Sequence, residues 1–218
     1  MKKDNDFIPA LKFQWLTKYF DFFLNYTMPE KRLKLELIKQ AKLSEAKYVL
    51  DFGCGTGTLA MMIKSLHKQV RIFGVDVDKK ILEIAQKKLD VADLDINLSL
   101  YDGLTLPYES KSFDKVLSSL VFHHLNREKK INALKEIYRV LKDDGELYIL
   151  DFGKAPNILV RILFMFWQIF DGFSNTNDNI LGLIPNIAIE AGFSKATETK
   201  KTMTFFGPLS YYTVKKLN

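Results

Sequence analysis

The chain has 218 residues, 47% of them hydrophobic and 27% charged, with a formal net charge of +6. That balance excludes a disordered or collagen-like chain, and the length suits one domain that buries about 70% or more of its unfolded surface. Cys54 is the only cysteine, so an internal disulfide is excluded and a reducing, cytoplasmic compartment is the default.

The first residues, Met1–Asp6, are polar and unlike a secretory leader, and no apolar run reaches the roughly 18–20 residues that span a bilayer. Residues 7–43 read as helices rich in aromatics, including Phe13, Trp15, Tyr19, Phe20 and Tyr26. From residue 47 onward strands and helices alternate. Tyr48–Phe52 is expected as a strand, Thr58–Leu66 as a helix, Arg71–Val75 as a strand and Lys79–Leu89 as a helix. Ile96–Leu100 and Lys115–Leu120 follow as strands, then Glu128–Leu141 as a helix with Ile131, Leu134, Ile137, Tyr138 and Leu141 at helical spacing. Asp143-Asp144-Gly145 reads as a turn into a strand at Glu146–Asp151. Residues 156–173 are apolar on almost every side, relieved by Arg161 and Gln168. A helix end at Glu190–Phe193 and strands near Glu198–Phe205 and Leu209–Lys215 close the chain. Such alternation predicts a parallel sheet with helices on both faces and ligands at the carboxyl ends of its central strands.

Chemistry concentrates at the first strand end, Val49-Leu50-Asp51-Phe52-Gly53-Cys54-Gly55-Thr56-Gly57. Glycines between strand and helix let a ligand reach the backbone, because no β-carbon intervenes. A dinucleotide fingerprint would need glycine at Thr58, and a phosphate P-loop would need Gly-Lys-Ser/Thr, so neither fits. A tight turn without a ligand is the plain alternative. Cys54 itself reads as a small packing residue within the turn. The second strand ends in Asp76-Val77-Asp78, where Asp76 is placed to accept both hydroxyls of a ribose or else to cap a helix, the role read for Asp78. Downstream lie Tyr101-Asp102-Gly103-Leu104-Thr105-Leu106-Pro107-Tyr108, then Phe113-Asp114, then Ser118-Ser119-Leu120-Val121-Phe122-His123-His124 and Leu141-Lys142-Asp143-Asp144-Gly145.

In this order over residues 47–151, the motifs resemble those of the class I S-adenosylmethionine-dependent methyltransferases. The Phe-His-His-Leu ending and Leu16–Asp21 are closest to the ubiquinone/menaquinone-biosynthesis type. The resemblance implies a Rossmann-like, doubly wound, mostly parallel seven-stranded sheet with an antiparallel C-terminal strand. It implies S-adenosyl-L-methionine as cofactor and S-adenosyl-L-homocysteine as product. On the same ground Asp51, Gly53, Gly55, Thr56, Gly57, Asp76 and Val77 line the cofactor, Asp102, Gly103 and Leu104 its adenine, and Ser119 and Leu120 its methionine half. Tyr19, Phe20 and Arg32 would stand near the methionine end, although an aromatic on a helix is usually core. Phe113-Asp114 reads as structural. Asp143 and Asp144 replace the Pro-Gly common in the family's turn. No metal is implied.

His123 and His124 are the candidates for a general base, which an acceptor needs only if it must lose a proton; a structural role for both stands beside that reading. The expected organisation is one domain: a helical cap over 1–43, a cofactor core over 44–155, a lid over 156–185, and a helix with strands over 186–218. Leu16–Tyr26 and Ile158–Phe173 would cover an apolar pocket for a small hydrophobic acceptor, or else complete the core or a dimer contact. The lysines fall in scattered pairs such as Lys79-Lys80 and Lys129-Lys130, which reads as a solvated surface rather than a nucleic-acid block. An RNA methyltransferase, a non-catalytic cofactor-binding module and a peripheral membrane protein are the competing readings, and the sequence does not choose between monomer and homodimer.

Overall fold

A computed structural model describes residues 29–154, 173–205 and 207–216. The expected contributions of Tyr19 and Phe20, and the covers at Leu16–Tyr26 and 156–172, lie outside the described residues. The elements are α1 (Glu30–Ala41), β1 (Tyr48–Phe52), α2 (Thr58–Leu66), β2 (Arg71–Asp76), α3 (Lys79–Ala92), β3 (Asn97–Leu100) and β4 (Phe113–Ser119). A single 3-10 turn (Phe122–His124) leads into α4 (Arg127–Val140), followed by β5 (Leu141–Phe152), α5 (Phe173–Ile180), α6 (Ile184–Glu190), β6 (Lys195–Thr204) and β7 (Gly207–Lys215).

The strands form one seven-stranded sheet in the order β3-β2-β1-β4-β5-β7-β6. Neighbours from β3 to β5 pair in parallel, and β7 runs antiparallel to both β5 and β6, as the sequence predicts. β1 and β4 are central and face helices on both sides, so their apolar runs are nearly continuous; Val49, Leu50, Val116 and Leu117 are fully buried. Leu33 and Leu37 of α1 and Ile63 of α2 pack on one face of the sheet. Leu134 and Ile137 of α4 and Ile187 of α6 pack on the other. The order reverses between β1 and β4, which start crossovers on opposite sides, and in open α/β sheets such a switch point is where ligands bind, at the carboxyl ends of the strands.

Two strand starts differ from the sequence reading. β4 begins at Phe113 because Asp114 is a staple: its Oδ2 accepts the backbone N–H of Lys47 at 2.9 Å and of Tyr48 at 2.7 Å, and its Oδ1 takes the Lys142 ammonium. β5 begins at Leu141, which pairs with Phe113 before the register jumps to Lys115 opposite Glu146. Asp143-Asp144-Gly145 is therefore an irregularity inside β5 rather than a turn ahead of it.

Candidate cofactor and acceptor site

The turn after β1 is built from left-handed backbone. Gly53, Gly55 and Gly57 have φ of 70°, 53° and 77°, values that side-chain-bearing residues rarely adopt. A methyl group added at Gly53 would meet Val121 Cγ2 at 2.4 Å, whereas one at Gly55 would meet nothing within 4 Å. Gly53 thus makes room for the turn after β4, while Gly55 presents bare main chain to open space. Thr56 lies at the outer side of this turn, its hydroxyl accepting the Lys88 ammonium at 2.8 Å. Cys54 is buried, and burial pushes its thiol well above the usual range, which suits the packing role and not a reactive one.

Two acids fix the turn. Asp51 is buried at the end of β1, and its Oδ2 accepts the N–H of Ala60 in the first turn of α2 at 3.1 Å. Burial raises its pKa to about 7, against the pull of Lys34 and the Ala60 N–H. Asp76 closes β2, where its Oδ2 accepts the N–H of Gly55 at 2.8 Å and its Oδ1 the N–H of Asp78 at 3.0 Å. Each oxygen keeps a second lone-pair direction for another donor. Asp78 caps α3 by accepting from Lys80 and Ile81, as the sequence predicts, which leaves Asp76 free of that duty. Val77, between them, is exposed on the rim.

The third side of the crevice is the loop after β3. Asp102 Oδ1 accepts the N–H groups of Leu104 and Thr105, both at 2.8 Å, and these bonds hold its carboxyl below the usual range. The acid thus closes a local turn within the β3–β4 loop. Gly103 has φ of 84° with open space beside it, and Leu104 projects into solvent. At the end of β4 the Ser119 hydroxyl is buried with no protein partner, and Leu120 holds a left-handed φ of 61°. That conformation is strained for a leucine, costing about 1–2 kcal/mol, and it is locked by the Leu120 N–H bond to Leu150 O at 2.8 Å. Arg32 lies exposed in the first half of α1, a helix that packs on β4 and β5.

The residues present fit an adenosyl ligand. Open main chain at Gly55 and Gly103, a carboxylate with spare acceptor capacity at Asp76, and exposed apolar Val77 and Leu104 follow the carboxyl ends of the neighbouring parallel strands β1, β2 and β3. No group of three or more His, Cys, Asp or Glu side chains capable of holding a metal occurs among the described residues.

Beside β4 and β5 the structure assembles a buried polar cluster that the sequence reading missed. Asp151, at the end of β5, is fully buried. Its Oδ2 accepts the N–H groups of Val121 and Phe122 at 3.1 and 2.8 Å. Its Oδ1 lies 2.9 Å from His123 Nδ1, 2.7 Å from its neighbour Phe152 N and 3.1 Å from Asn179 Nδ2. Burial pushes Asp151 up, but the neighbouring His123 and the N–H donors outweigh it and hold the carboxyl below the ordinary range. The His123 ring is buried, with His124 at 3.9 Å on one side and Phe152 edge-on at 4.9 Å. His124 keeps an exposed outer face; desolvation of its inner side and the adjacent His123 draw its pKa far down. The signal for Asp151 was in the sequence: it ends the apolar run Tyr148-Ile149-Leu150 just as Asp51 ends Val49-Leu50.

Residues 49–145 match the family described as methyltransferase domain. The sequence is similar to those of curated quinone-biosynthesis methyltransferases. It is 32% identical over 143 residues to a demethylmenaquinone methyltransferase of Lactobacillus johnsonii, covering 64% of this chain and 58% of that protein. It is 29% identical over 133 residues to the ubiquinone/menaquinone biosynthesis C-methyltransferase of Geotalea uraniireducens, covering 60% of this chain and 56% of that one. The chain thus spans less than two thirds of the length of these relatives. The fold recurs in phosphoethanolamine N-methyltransferase 2 of Haemonchus contortus, solved with phosphomonomethylethanolamine and S-adenosylhomocysteine. The TM-score is 0.71 at 17% identity, over 86% of this chain and 53% of that one. Among the described residues no helix is long and apolar enough to cross a membrane.

Proposed function

We propose that this protein transfers a methyl group from S-adenosylmethionine to a small, largely apolar acceptor of the quinone-precursor kind. The clamp between Asp76 and the open main chain of Gly55 carries the reading on the donor side. The likeness to demethylmenaquinone methyltransferases supports the acceptor class. When bound, the donor supplies an electrophilic methyl group on a sulfonium. The chain's own residues bind, orient and exclude water. Asp76 accepts from the ribose hydroxyls while Gly53, Gly55, Thr56 and Gly57 allow close approach; Val77 and Leu104 flank the adenine, with Asp102 and Gly103 at its polar edge. Asp51, Ser119 and Leu120 face the methionine half, and Arg32, Tyr19 and Phe20 complete that end. The ordered crevice contributes mainly by orientation, which in well-aligned systems is worth about 7–11 kcal/mol of barrier. An acceptor that sheds a proton is served by the histidine pair after β4.

The chain acts in this reading as a single unit, with the helical cap and lid covering the acceptor side. A test is to incubate the purified protein with methyl-labelled donor and either demethylmenaquinone or a total lipid extract. The expected result is label in the organic phase, absent in an Asp76→Ala control. Label recovered only in RNA or in polar metabolites contradicts the acceptor class.

A further inference from the structure

We propose that Asp151 is a positioning residue that fixes His123 as its Nδ1–H tautomer and so makes Nε2 of His123, rather than any atom of His124, the proton-accepting atom of the site. This deepens the proposed methyl transfer and rests on it.

Asp151 carries no protons to share, because it accepts from backbone N–H groups of Val121, Phe122 and Phe152 and from the Asn179 amide. Such a carboxylate is an acceptor only. The ring nitrogen 2.9 Å from its Oδ1, His123 Nδ1, must therefore be the donor. The proton on Nδ1 leaves Nε2 of the neutral imidazole with its lone pair free. Three features make the arrangement rigid. The carboxylate is tied to its own strand and to both residues ahead of His123; the ring is clamped between His124 and Phe152; and Asn179 also donates to Phe152 O at 3.3 Å, securing α5 to the same strand end. Next to Asn179, Asp178 takes the buried Lys130 ammonium at 3.3 Å, which keeps that cation engaged outside the dyad. Among the described residues, Lys130, His124 and the Tyr212 hydroxyl are the other titratable groups that interact with this carboxylate, with Asp178 paired to Lys130.

Functionally, a proton released by the acceptor is taken up at Nε2. The resulting imidazolium carries N–H on both nitrogens, its charge is balanced by Asp151 at 2.9 Å, and the proton then passes to water. His124 has no carboxylate partner among the described residues, and its charged form is disfavoured by its surroundings.

The test is nitrogen-15 NMR of the histidine side chains in the full chain, alongside calorimetry with S-adenosylhomocysteine. The wild type should show neutral His123 as the Nδ1–H form. In Asp151→Ala the acceptor facing Nδ1 is removed, so the Nδ1–H form should lose its preference over the Nε2–H form. Product affinity should change less than about threefold in that variant. A wild-type His123 found as Nε2–H overturns the proposal without recourse to any variant, as does an Asp151→Ala protein whose His123 tautomer is unchanged. Absence of S-adenosylhomocysteine binding by the wild type would instead remove the methyl-transfer reading while leaving the tautomer result to stand.

Discussion

The carboxylate of Asp76 holds the amide of Gly55 at 2.8 Å, joining the tip of β2 to the glycine turn after β1. The two strands are neighbours in the sheet, with Asp51 opposite Gly74 and Phe52 opposite Val75, and Cys54 N–H adds a bond to Val75 O at 2.9 Å. The turn therefore has its shape before any ligand arrives, and little ordering remains to be done on binding.

Gly53 and Gly55 should respond oppositely to alanine. Both hold left-handed φ, so each substitution costs about 1–2 kcal/mol of backbone strain. At Gly53 the new methyl also runs into Val121, whose branched side chain has little freedom to yield, and a total loss of about 3 kcal/mol or more is expected. At Gly55 nothing stands within 4 Å, so stability should suffer only the strain, whereas S-adenosylhomocysteine affinity should fall tenfold or more. Urea unfolding paired with calorimetry separates the two effects; equal affinity losses without a stability difference would refute the assignment.

Asp51 makes stability depend on pH in a defined direction. Its folded pKa of about 7 lies above the ordinary aspartate value of 3.8, because burial disfavours the charge. Between those values the folded state keeps a proton that the unfolded chain has released, so stability falls as pH rises from about 4 to about 7 and then levels off. Asp51→Asn retains an acceptor for the Ala60 N–H and has no proton to lose. Its unfolding free energy should gain on the wild type across that window, by a few kcal/mol at most. A constant difference between the two proteins from pH 4 to 8 would contradict the raised pKa.

Asp114 supplies a contrast. It holds the start of β1 through two backbone N–H groups and reaches no part of the crevice. Asp114→Ala should lower stability by about 1–3 kcal/mol, from the orphaned N–H groups and the freed Lys142, while product binding stays within twofold. Thermal unfolding and calorimetry on one preparation would show it.

Much of this fold was legible because parallel central strands are written as apolar runs. β1 is read to the residue, as is α2, since Thr58–Leu66 is bounded by Gly57 and His67. β5 starts earlier than the sequence suggests, because backbone pairing of Leu141 with Phe113 overrides the turn-forming Asp143-Asp144-Gly145. Glycines and acids at the strand ends were legible because positive φ and acceptor chemistry each demand particular residue types; Gly53, Gly55 and Gly57 hold positive φ, and Asp51 and Asp76 accept backbone N–H groups. The Asp151 cluster escaped because its members are distant in sequence: His123, Asp151 and Asn179 meet only once β4, β5 and α5 are packed. Local pattern reports which residues end a strand, and tertiary packing decides which of them face each other.

The most direct measurement is calorimetric titration of the wild type and of Asp76→Ala with S-adenosylhomocysteine. Removing a carboxylate that accepts from ligand hydroxyls and also holds Gly55 should weaken binding by about 10- to 100-fold, the equivalent of about 1.4–2.8 kcal/mol. A wild type that takes up no S-adenosylhomocysteine, or an Asp76→Ala variant that binds it as tightly as the wild type, would contradict the account.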